Sequence, residues 1–144
     1  MPSVCRAMLR ASLTWMLTGF SVAGVLLLNK ALGFFAPIWS LRPSHVSMLL
    51  LGWIVQLGMG MMTWIMPRDV ATGDRGNLRL VWISYGTLNT GVLLAALDGP
   101  LAAALGGASV SPIAPLAGVL LLTSVVVFVM HIWRRVRPVV PSMG

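Results

Sequence analysis

Long apolar runs alternate along this chain with short stretches that hold most of its charges and prolines. A bilayer core about 30 Å thick is crossed by a helix of about 20 apolar residues. Four segments reach that length, approximately residues 11–34, 44–66, 78–97 and 113–133. The pattern predicts an all-α integral membrane protein, a four-helix bundle forming a single membrane domain over residues 1–144. Residues 36–43, 67–77 and 98–112 read as connections because turn-forming residues or charges interrupt the apolar pattern there. The last of these, rich in small uncharged residues, reads as an interfacial or re-entrant segment or as a flexible connection. Arg6 and Arg10 precede the first run as they would in a signal peptide. That run has spanning length and no small-residue cleavage site after it, so a retained span is expected.

Composition narrows the class. With 58% apolar and 9% charged residues, the chain departs strongly from a soluble domain. Asp69, Asp74 and Asp98 all fall in connections, which leaves no buried carboxylate relay. No cysteine–histidine cluster and no glycine-rich phosphate loop is present either, so the chain is not expected to be an enzyme by itself. Cys5 is the single cysteine, which precludes an internal disulfide framework.

Charge fixes an expected orientation. Arg6, Arg10, Arg68, Arg75, Arg79, Arg134, Arg135 and Arg137 fall on one side of the spans, and Lys30 and Arg42 on the other. By the positive-inside rule both termini are expected in the cytoplasm, with the chain in a bacterial inner membrane. The net charge of +7 is then a topology signal and requires no nucleic-acid partner. The 67–77 connection and the basic tail are expected to attract anionic lipid head groups. Trp39, Trp64 and Trp133 lie near span ends, as interfacial anchors do.

The second span carries the candidate chemistry. At helical spacing His45, Gly52, Gln56, Gly60 and Thr63 fall within about 60° of one face. Gly52 and Gly60 thin that face, so that a neighbouring helix or a flat ring can approach the backbone. Gln56 needs a hydrogen-bond partner, because an unpaired amide in hydrocarbon costs several kcal/mol. The face is therefore expected to point inward. His45, in the first turn, reads either as an imidazole ligand for haem iron or another metal, or as an interfacial residue touching water and head groups.

Other candidates read as structure. Met59, Met61, Met62 and Met66 cluster in sequence but spread around the helix, which favours packing over a copper site. His131, beside Trp133 and arginines, reads as part of an interfacial anchor, about 25 to 30 Å from His45. In the third span Trp82, Gly86, Asn89 and Leu93 share a face, and Asn89 is expected to pair with Gln56. Lys30 reads as a snorkelling side chain, with an acidic cofactor substituent or Asp98 as the alternative partner.

The pattern H-x6-GW-x6-G-x3-W-x2-PR, filled by His45, Gly52, Trp53, Gly60, Trp64, Pro67 and Arg68, resembles the second helix of haem-copper oxidase subunit I. The likeness is to the cbb-type oxidase and nitric oxide reductase branch, and WISYGTLNTGVLL is similar to the third helix of that family. The resemblance implies that His45 is an axial ligand of a b-type haem, with Gly52, Gln56 and Gly60 lining the ring and Asn89 and Trp82 nearby. That family uses about twelve helices and further histidines for its reactive centre, which this chain lacks, so oxygen or nitric oxide reduction by this polypeptide is not implied. A second copy in a homodimer, or a partner subunit, would supply the sixth ligand; otherwise the iron would be five-coordinate. The functional expectation is electron transfer or gas-ligand binding within a larger membrane complex. Its alternative is an accessory transmembrane subunit of a respiratory or photosynthetic complex, cofactor-free or with His45 on a chlorophyll magnesium. Absence of buried charge and of paired broken helices argues against a small transporter.

Overall fold

In the computed structural model, residues 1–67, 76–106, 113–133 and 135–136 are described. The expectations for Arg68, Arg75, Arg134 and Arg137, and for residues 107–112 of the third connection, lie outside the described residues. Four helices are long and apolar enough to cross a membrane: α1 (Ser3–Leu32), α2 (Ala36–Ile65), α3 (Leu78–Ala104) and α4 (Ile113–Trp133). Among the described residues there is no strand.

α1 begins at Ser3, well before the apolar run, because Val4, Cys5 and Met8 are fully buried in the core with Met59, Val81 and Phe128. Tertiary packing holds its basic first turns in helix. It stops at Gly33, whose φ of 64° is the left-handed conformation that glycine adopts without steric cost. There the Gly33 amide donates to Asn29 O at 2.7 Å, and Asn29 Oδ1 accepts from the Phe35 amide at 2.9 Å.

α2 is composite. A 3-10 turn (Ala36–Leu41) leads into an α-helical turn (Arg42–Ser47), a π-helical stretch (Met48–Val55) and a final α segment (Gln56–Ile65). The sequence pattern suggests a connection up to Pro43. Instead Pro37 and Pro43 each open a helical piece, where their fixed φ is already helical and the missing N–H has no required partner.

Asn77 caps the start of α3, its side chain accepting from the Arg79 amide at 3.0 Å. α3 also runs beyond its expected end at Asp98-Gly99-Pro100, continuing through Pro100 to Ala104. Pro100 has no N–H to give the carbonyl four residues back, which is that of Ala96. Ser44 of α2 donates its hydroxyl to Ala96 O instead. Gly99 allows the approach, since a Cβ there would collide with the Ser40 carbonyl.

α1 packs along α2, α2 along α3, and α3 along α4, with α1 touching α3 at the centre. The α3–α4 seam is reciprocal: Ser84 Oγ donates to Ser124 O at 2.9 Å and Ser124 Oγ to Ser84 O at 2.8 Å. One turn-pair further along, a Cβ on Gly91 would lie 2.9 Å from Leu121, so glycine sets the closeness of these two helices.

Candidate functional site

The face singled out on α2 is buried. Gln56 and Thr63 have no exposure, and Gly52 and Gly60 are buried with them. What fills it is α1. A Cβ at Gly52 would lie 2.6 Å from Trp15 Cγ, and one at Gly60 would lie 3.1 Å from Met8 Cβ. A flat ring on this face would have to displace both side chains, so within a single chain the glycine pair fits a helix and not a porphyrin.

His45 sits at the far end of the same seam. Its Nδ1 is 3.0 Å from Gly19 O of α1. A helix carbonyl can only accept, so Nδ1 carries a proton, and in the neutral tautomer that makes this bond the lone pair is on Nε2. The ring is half-buried, and the only hydrogen bond it makes among the described residues is the one through Nδ1. Imidazoles that ligate metals are commonly oriented this way, with the non-ligating N–H on a backbone carbonyl. The same bond equally ties two helices together.

The expected Gln56–Asn89 pair does not form. Trp15 Nε1 donates to Asn89 Oδ1 at 2.8 Å, while Asn89 Nδ2 donates to Tyr85 O at 2.8 Å. Each amide atom of Asn89 thereby has a partner, on α1 and on its own helix. Neither Oε1 nor Nε2 of the buried Gln56 has a hydrogen-bond partner among the described residues. Trp82, Gly86 and Leu93, grouped with Asn89 by spacing, are exposed on the outside of α3. The face splits because Asn89 turns toward Trp15.

The end opposite the α1 N-terminus holds Lys30, Arg42 and Asp98. No ion pair joins Lys30 to Asp98, and Asp98 Oδ1 is buried without a hydrogen-bond partner among the described residues.

His131, expected at the surface as part of an interfacial anchor, is instead packed inside the arginine end of the bundle. It is only 5% exposed, packed beside Phe128 and against Gly76 just before α3. Its Nε2 lies 3.5 Å from Arg135 Nη1. Arg135 reaches the end of α2, where Nη2 donates to Met66 O at 2.6 Å and to Pro67 O at 3.2 Å, and Nη1 donates to Thr63 O at 3.4 Å. The guanidinium thus satisfies carbonyls that the last turn of a helix leaves without partners.

Of the four methionines near the end of α2, only Met59 is buried, and Met62 is half exposed. Among the described residues no three histidine, cysteine or acidic side chains gather as a metal-holding group. Comparison with protein families, with curated proteins and with solved structures finds no match to this chain.

Proposed function

We propose that this chain is an accessory transmembrane subunit that packs against a larger complex of the bacterial inner membrane. Its interior groups serve to hold its own four helices together. The observation that carries this reading is the filling of the glycine face, where Trp15 and Met8 of α1 occupy the positions a cofactor ring would need. The edge helices leave wide apolar surfaces, with Leu17 and Leu122 two-thirds exposed, for lipid and for partner helices. Arg6, Arg10, Arg79 and Arg135 at one end, against Lys30 and Arg42 at the other, support cytoplasmic termini. The test is purification from native membranes in mild detergent. Co-elution with stoichiometric partner proteins, without stoichiometric haem, is the expected result; a chain that elutes alone would overturn the reading.

A second reading rests on His45. Its Nδ1 bond to Gly19 O leaves Nε2 as a pre-oriented lone pair, which supports the axial-ligand role implied by the haem-copper oxidase resemblance. A b-type haem there would supply a one-electron couple or a gas-binding iron. Because Gly52 and Gly60 are covered, the ring would lie outside the bundle, where a second copy or a partner completes the site. A reduced-minus-oxidised spectrum with pyridine haemochrome quantitation decides. About one haem per one or two chains, lost in His45→Ala with the protein still inserted, would favour this reading. No haem in a sample isolated with its partners would remove it.

A further inference from the structure

Between α2 and α4 an apolar groove runs along the helix axes in the half of the bundle nearer Arg135. Ile54, Gly58 and Met62, one turn apart, form its α2 wall, Val125 and Phe128 form its α4 wall, and it holds about 310 Å³. The two helices make almost no direct contact along it, because α4 packs on α3 while the Gln56–Ile65 stretch of α2 packs on α1. A Cβ on Gly58 would meet nothing within 4 Å, so the middle of the groove is open. At one end Arg135 crosses from α4 to the last carbonyls of α2 and ties the walls together.

Two features select the occupant. The groove is apolar along its length, Ile54 to Met62 spanning a rise of about 12 Å. A hydrocarbon chain can lie along it, parallel to the helices. Charge supplies the second feature. Among the described residues Arg6, Arg10, Arg79 and Arg135 lie at this end, and the 67–77 connection carries as many arginines as aspartates, so the end is net positive. Negative head groups are drawn to such an end.

We propose that the α2–α4 groove binds one acyl chain of an anionic phospholipid, with its head group at the arginine end. The site is independent of the reading given for the subunit as a whole.

Native mass spectrometry tests it, on the full chain in mild detergent with phosphatidylglycerol and phosphatidylethanolamine of matched chain length. The wild type is expected to retain phosphatidylglycerol severalfold over phosphatidylethanolamine. Gly58→Leu fills the groove from α2 and Val125→Trp fills it from α4. Each is expected to abolish that retention while far-ultraviolet circular dichroism stays unchanged. Equal retention of the two lipids, or unchanged phosphatidylglycerol binding in a folded variant, would overturn the proposal. So would loss of a co-purifying protein with lipid unaffected, which assigns the groove to a partner helix.

Discussion

Trp15 and Asn89 meet across the centre of the bundle, the indole N–H of α1 donating to the amide oxygen of α3 at 2.8 Å. It is the point at which these two helices, otherwise barely in contact, are tied. Trp15→Phe is expected to destabilise by about 1–2 kcal/mol, because Asn89 Oδ1 loses its donor in an apolar setting. A double-mutant cycle with Asn89→Leu, read by unfolding in mixed micelles, should return a coupling of about 1 kcal/mol. Additive effects would show that the bond contributes nothing.

Two glycines that look alike in sequence should respond oppositely. Gly52→Ala puts a methyl group against Trp15 and is expected to cost about 1–3 kcal/mol. At Gly86 nothing lies within 4 Å, so Gly86→Ala should be neutral or stabilise by up to about 1 kcal/mol. Thermal melts of the two variants side by side make the comparison.

Gln56 is buried with both amide atoms unbonded among the described residues. Gln56→Met keeps the volume and removes the polar group, so a gain of about 1–3 kcal/mol is expected. A loss instead would mean that the amide has a polar contact in the assembled protein.

Arg135→Met removes the donors from the end of α2. Faster amide hydrogen exchange is expected in the last turn of α2 and in α4, with the rest of the bundle unchanged. Arg135→Lys should restore little, since an ammonium cannot span several carbonyls as the planar guanidinium does.

The four apolar helices and the buried face of α2 were legible because both follow from the bilayer's intolerance of polar groups. The positions of Gln56 and Thr63 show this most clearly, since helical spacing put them on the inward side and both have no exposure. What lies against that face was not legible. Glycines at 52 and 60 admit a ring and a helix equally, and only the placement of Trp15 distinguishes them. Asn89 was recognisable as needing a partner, but Trp15 lies 74 residues away in sequence and carries no pattern that announces it. Arg135 read as a topology charge because an arginine in a basic tail gives no sign of which carbonyls it will reach. The reciprocal pair Ser84 and Ser124 did leave a signal, two hydroxyls inside otherwise apolar spans, that points to an interhelical contact.

The hydroxyl of Ser44 stands in for the amide hydrogen that Pro100 lacks, and it comes from a different helix. The last turns of α3 are therefore a property of the assembled pair. A nascent third helix entering the membrane without its neighbour would carry an unsatisfied Ala96 carbonyl and would end near Leu97, where its apolar run ends. Docking on the second helix supplies that donor, so the turns of α3 from Leu97 to Ala104 are expected to be more stable in the assembled bundle than in the isolated span.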